Sequence, residues 1–344
     1  MKRGYFLFYL LFLSTLVTAA VPPLLAQSVA EAPTQHILKI SPDTVSRGYY
    51  SADVKPVLTV KSGDTVRVET VSGDPDNLVR LGVPEDDVNV RDLREINDKV
   101  KEPGPIMLGP IAVEGAEPGD VLEIDILEVR PRSFYGVNHF APEHGLLPDQ
   151  FPYTRYKLIR VGQDGMADFA PDVHIPVRPF FGSMGVAPAT GRVDMIPPGY
   201  YAGNLDNKEL VAGSTLYIPV QKTGGLFSIS DGHLAMGDGE VDVSAIEAPL
   251  TGLLRFSVRK NMNLRWPRAE TPTHIITMGF DPTLDEAARR ATNEMIDYLV
   301  SSRGLSRDDA YMLASVAVDL HVTQAVDGVR GVHAMLPKAI FLSK

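Results

Sequence analysis

The chain has 344 residues, 44% hydrophobic and 22% charged, enough apolar material for a sizeable core and too much for a disordered or collagen-like chain. A formal net charge of −10 without any basic block excludes a sequence-independent nucleic-acid binder and a polybasic membrane patch. Cysteine is absent, which removes thiolate nucleophiles, disulfides and Cys-bound zinc, while 29 glycines and 27 prolines spread along the chain suit many short strands joined by tight turns.

The N-terminus has the grammar of a secretory signal. A basic "MKRG" precedes the apolar run "YFLFYLLFLSTLVTAAV", and small residues follow. Residues 1–30 are therefore expected to be a signal peptide cleaved after Ala26 or Ala30, leaving 31–344 as one unit on the exported side, periplasmic or secreted. An uncleaved anchor is the other reading, because the run approaches spanning length. No later apolar stretch is long enough to span, so the mature body is expected to make no membrane contact.

Residues 37–130 read as strands. "VLTVKSGDTVRVET" places two β-rich runs around Ser62-Gly63-Asp64, which predicts a hairpin. Val66 and Val68 alternate with Arg67 and Glu69, the signature of a half-buried strand. In "GDVLEIDILEV", Leu122, Ile124 and Ile126 share one face and Glu123 and Asp125 the other, after a turn at "EPGD". The polar region 73–105 is expected to be loop with a short helix. Strands recur at "RYKLIRV", "STLYIPVQ" and "GGLFSIS".

The last third changes character. In "DPTLDEAARRATNEMIDYLVSSRG", Thr283 and Glu286 predict a capping box, Leu284, Ala288, Ala291, Met295 and Leu299 form a helical stripe, and Gly304 supplies the stop. Ser306 with Asp309 opens a second helix. The fold class expected is α+β and β-dominated, with C-terminal helices.

Chemistry concentrates in "SISDGHLAMGDGEVDVSAIE", residues 228–247. Asp231 and His233, two apart on an extended segment, point the same way and could share one ion. A carboxylate with an imidazole suits zinc better than calcium, and no EF-hand pattern is present. An acidic turn remains the plain reading of the same string. The Asx-rich loop "GNLDNKEL" and the small-residue stretch "FFGSMGVAPATG", which contains Gly185, are equally compatible with a site or with a turn and close packing. His139 and His144 in "NHFAPEH" fit ligands, bases or polar surface. His274, His321 and His333 read as structural, although the turn-rich segment around the last two could border a site. No G-x-S-x-G, G-x-G-x-x-G, Walker or H-E-x-x-H motif occurs.

Taken in order, "GPIAVEGAEPGDVLEIDILEV", "GVAPATGRVDMIPPG", "GNLDNKELVAGSTLYIPVQKTGGLFSISDGHLAMGDGE" and "SVAVDLHVTQAVDGVRGVHAMLPKAIF" resemble the acetamidase/formamidase family over residues 37–342. The resemblance implies hydrolysis of carbon–nitrogen bonds in small linear amides such as formamide and acetamide, a sandwich-like β core with an accompanying α+β portion, a homo-oligomer and a bound divalent metal, zinc. It implies Asp231, His233 and Asp206 as metal ligands, Glu240 as general base or acid, Glu114 and His139 as further catalytic candidates, and Asn204 and Gly185 as substrate-binding candidates. A metal that activates water beside a carboxylate needs no Ser or Cys nucleophile. Tyr201, Ser230 and Leu234 depart from the family's usual residues. They motivate an alternative, an exported small-molecule-binding protein that keeps the fold without the chemistry.

Overall fold

The computed structural model describes residues 32–342, together with Met1 and Gly4. The expected signal peptide lies outside the described residues. The chain divides after Ala32, and the unit from Pro33 onward holds every strand and helix described. This unit is β-dominated, as the sequence pattern predicts.

Two sheets face each other. The larger has nine strands in the order Gln35–Leu38, Thr65–Glu69, Leu250–Arg259, Val121–Pro131, Thr215–Pro219, Arg268–Glu270, His274–Asp281, Arg330–Pro337 and Asp319–Gln324. The other runs Ala202–Asn204, Phe180–Gly185, Phe227–His233, Ile106–Val113 and Val45–Arg47, with Leu58–Val60 added parallel to Ile106–Val113. Phe227 meets Phe256 of the nine-stranded sheet edge to face at 5.1 Å, and Gly252 is open enough for the Phe181 ring to lie against it. Leu122, Ile124 and Ile126 are fully buried in this core, while Glu123 turns outward to Arg259. A separate four-stranded sheet runs Val173–Pro176, Met166–Ala170, Arg155–Val161 and Tyr135–Phe140.

The hairpin expected around Ser62-Gly63-Asp64 does not form. Leu58–Val60 pairs with Ile106–Val113, whereas Thr65–Glu69 pairs with Gln35–Leu38 and Leu250–Arg259. The turn passes the chain from one sheet to the other. Asp64 locks it by accepting hydrogen bonds from Thr34 N at 2.7 Å and Lys61 N at 3.0 Å. Residues 73–105 hold two helices rather than one short one. Pro75–Arg80 is capped by Asp74, and Val88–Lys99 is capped by Asp87 and buries Val90, Leu93 and Ile96.

The C-terminal helices pack on the far strands of the large sheet. Leu284–Arg303 lies so close to His274–Asp281 that a β-carbon on Gly279 would stand 2.1 Å from the Ala287 carbonyl oxygen. Thr283 caps this helix by accepting from Glu286 N, but the reverse half of the capping box is absent. Thr283 N donates instead to Asp281 at 3.1 Å, and Glu286 turns to Arg289. Gly304 closes the helix in the left-handed conformation, and Ser306 caps Arg307–Ala317. No helix among the described residues is long and apolar enough to cross a membrane.

Candidate active site

The strand Phe227–His233 runs antiparallel to Phe180–Gly185. Phe181 pairs with Gly232 and Ser183 with Ser230, which puts Gly182 across from Asp231. A β-carbon on Gly182 would lie 2.3 Å from Asp206 Oδ1, 2.5 Å from Asp231 Oδ2 and 2.8 Å from His233 Cε1. Only a missing side chain leaves room for two carboxylates and an imidazole at this spot.

His233 is fully buried, edge-on to Phe180 at 5.0 Å, and stands between two acidic groups. Its Nε2 is 3.3 Å from Asp231 Oδ2 and 3.2 Å from Glu247 Oε1. Its Nδ1 faces Asp206 Oδ1 at 3.8 Å. Neither nitrogen has an aligned hydrogen-bonding partner, and Asp206 Oδ1 also lacks one. Two sets of potential ligand atoms result, Asp231–His233–Glu247 and Asp206–His233–Glu240. Asp206 and Asp231 thus both approach His233, Asp231 at Nε2 and Asp206 towards Nδ1, and their oxygens meet beside Gly182.

Asn204 tightens the inner set. Its Nδ2 donates to Asp206 Oδ2 at 2.6 Å and to Asp327 Oδ2 at 3.3 Å, and its Oδ1 accepts a short hydrogen bond from Ser183. Asp206 (φ +47°), Asp231 (φ +61°) and Glu240 (φ +46°) all occupy the left-handed region. Such strain in three non-glycine residues persists where packing fixes it, and it clusters at functional sites.

The electrostatics separate the two sets. Burial pushes the Asp206 carboxyl well above the usual carboxylate range, and Glu240, Asp327 and Asp231 add to the effect. Burial likewise drives Glu240 well up, with His233 opposing and Asp327, Glu247 and Asp231 reinforcing. Asp327 is pushed up to about 6, chiefly by burial. At Asp231 burial is outweighed by the adjacent His233, which holds the carboxyl below its ordinary value. Burial would lower the His233 pKa, but Glu247 and Asp231 prevail and raise it well above normal. One imidazole cannot neutralise five acids; protons or a cation must balance the remainder. A buried aspartate oxygen and two imidazole nitrogens without partners, ringed by carboxylates, fit a divalent metal.

A cavity of about 570 Å³ leads to the cluster. Asn204, Ser230, Asp231, Glu240, Glu247 and Asp327 supply polar groups to its lining, Leu78, Leu93 and Met195 apolar ones, and His139 lines it as well. His139 is stacked on Tyr156 at 5.2 Å. Glu114 lies elsewhere, exposed in the turn after Ile106–Val113, with its backbone N bonded to Val60 O. Gly185 does not line the cavity. A β-carbon there would meet the Tyr50 ring at 2.7 Å, so its smallness serves packing. Leu234 is fully buried beside Gly136 and also stays out of the cavity. Tyr201 donates to the carbonyls of Pro197 at 2.5 Å and Asp194 at 3.1 Å, an ordering role for its loop.

Sequence reasoning missed Glu247, Asp327 and Gly182. Glu247 reads as one more acid of a turn until the backbone bridge between residues 233 and 247 brings it back. Asp327 signals only through its turn-rich surroundings, and Gly182 only through the glycine in "FFGSMG".

The acetamidase/formamidase family model matches residues 42–195 and 192–343. The formamidase of Methylophilus methylotrophus is 27% identical, with 80% of this chain and 84% of that protein covered. The acetamidase of Mycolicibacterium smegmatis is 25% identical over 55% of this chain and 60% of that protein. Among solved structures, the acetamidase of Bacillus halodurans is 31% identical with a TM-score of 0.76, covering 88% of this chain and 98% of its own. The predicted acetamidase/formamidase of Thermoanaerobacter tengcongensis is 29% identical with a TM-score of 0.78, covering 90% and 97%.

Proposed function

This chain belongs to the acetamidase/formamidase family of amidases, and we propose that it is an exported, metal-dependent enzyme that hydrolyses the C–N bond of small linear amides to a carboxylate and ammonia. The observation that carries this reading is His233, buried without aligned partners between two carboxylate sets whose Asp231, Glu240 and Glu247 line the cavity. Export is proposed from the N-terminal leader, and a homo-oligomer from the family resemblance.

Asp231, His233 and Glu247 are the residues that would hold the ion, zinc, because Asp231 and Glu247 face the cavity and Asp231 stays ionised. Asp206 faces the other nitrogen of the same imidazole at 3.8 Å and adds a carboxyl to the cluster. The ion supplies Lewis-acid polarisation of the amide carbonyl and of water.

The remaining work falls to the chain's own groups. Glu240 lines the cavity, and its carboxylate is placed to take a proton from the attacking water as general base. The same carboxyl returns that proton to the leaving nitrogen, so ammonia departs neutral. Asn204 holds Asp206 and Asp327 apart and in place. The apolar residues lining the cavity take the acyl chain and limit water around it.

Ammonia release from formamide, acetamide and longer aliphatic amides tests the proposal. Turnover of at least one of them by the mature protein is expected. Saturable binding without turnover of any would favour the non-catalytic alternative.

A further inference from the structure

Asp238, His321 and His333 form a second donor cluster that plays no part in the proposed hydrolysis. His321 and His333 are direct cross-strand partners on Asp319–Gln324 and Arg330–Pro337, with rings stacked at 5.0 Å and 9°. Asp238 reaches them from the loop before Glu240. Its Oδ2 is 3.0 Å from His321 Nδ1, and its Oδ1 is 3.0 Å from Lys208 Nζ. That loop is fastened to the same strand, because Gly239 N donates to Thr323 O and Ala325 N donates to Gly239 O, each at 3.1 Å. One ring nitrogen of each histidine and one Asp238 oxygen lie within 4.8 Å of one another.

His333 makes the cluster more than an ion pair. It is fully buried, its Nδ1 is bonded to the Thr323 hydroxyl at 2.7 Å, and its Nε2 has no partner. A buried nitrogen without a partner is costly, and a ligand would relieve that cost. The Thr323 bond orients the ring as an outer hydrogen bond does for a metal-binding histidine.

We propose that Asp238, His321 and His333 bind a divalent transition metal of the zinc class, at a site separate from the Asp231–His233 cluster. Two imidazoles and a carboxylate are donors suited to such an ion and leave one position open. Lys208 keeps one Asp238 oxygen, and the metal takes the other in place of the proton shared with His321. Bound there, the ion would pin the loop carrying Glu240 to the strand Asp319–Gln324.

The test is zinc titration of the chelator-stripped mature protein by calorimetry, with circular dichroism as a check on folding. His321→Ala and Asp238→Asn alter positions that are only partly buried, so the test does not depend on the buried His333. Wild type is expected to bind one more equivalent than His321→Ala, or to bind that equivalent at least tenfold more tightly, and Asp238→Asn is expected to behave likewise. His233→Ala should retain the His321-dependent equivalent. Should wild type bind a single equivalent that His321→Ala abolishes and His233→Ala spares, the second site stands and the metal proposed for the active site falls. Identical stoichiometry and affinity in folded wild type and His321→Ala would overturn the inference.

Discussion

A β-carbon on Gly182 would stand 2.3 Å from Oδ1 of Asp206, well inside contact distance. The strand Phe180–Gly185 therefore sets the position of the carboxylates by what it lacks. Gly182→Ala should displace Asp206 and Asp231 while costing only about 1–3 kcal/mol of stability, the usual range for overpacking. Displacement of about 1 Å at a reacting centre costs roughly 100-fold, so kcat/KM for the best amide should fall by about that factor. Unchanged turnover in a folded Gly182→Ala would contradict this placement.

Glu240→Gln should lower kcat by roughly 10²–10⁴-fold, the usual worth of a general base, with little change in KM. Zinc content should stay at the wild-type level. Zinc lost in step with activity would instead assign Glu240 to the Asp206–His233–Glu240 set as a ligand.

Tyr201 is held by its hydroxyl at the backbone carbonyls of Pro197 and Asp194, which orders its loop. Tyr201→Phe should lower stability by about 1 kcal/mol, the usual worth of one hydrogen-bond donor, and leave zinc stoichiometry unaltered. Denaturant unfolding with elemental analysis reads both quantities.

Acid should weaken the fold partly through Asp64. Burial alone would raise its pKa, but hydrogen bonds from Thr34 N, His36 and Lys61 N prevail and hold the carboxyl below its ordinary value. A depressed native pKa contributes stability that is complete above the unfolded value of about 3.9 and is lost as pH falls through the native one. The denaturation midpoint should therefore drop below about pH 4, and Asp64→Asn should flatten that drop. Parallel pH profiles for the two proteins would count against the assignment.

Much of this fold was legible because its strands obey local rules. Val66, Val68, Leu122, Ile124 and Ile126 alternate with polar neighbours and are all buried. The turn at Ser62-Gly63-Asp64 was equally visible, but a turn does not name the partners of its flanking strands, and Leu58–Val60 pairs with residues about fifty positions away. The helix Val88–Lys99 was obscured because its buried face is short and interleaved with charge. At the site, the spacing of Asp231 and His233 could be read directly. The approach of Glu247, and of Asp327 to Asn204 across 123 residues, depends on sheet closure, which no local pattern encodes.

Export has its own outcome: N-terminal sequencing of the mature protein should begin at Gln27 or Glu31, and an intact Met1 on the protein in cells would refute cleavage.

Metal-dependent amide hydrolysis is tested most sharply by ammonia release from a short amide in one preparation, measured as purified, after chelation and after reloading with zinc, alongside Asp231→Asn. Turnover is expected as purified, with loss on chelation, recovery with zinc, and no recovery in the variant. Full turnover by the chelated protein, or wild-type turnover by folded Asp231→Asn, would contradict it.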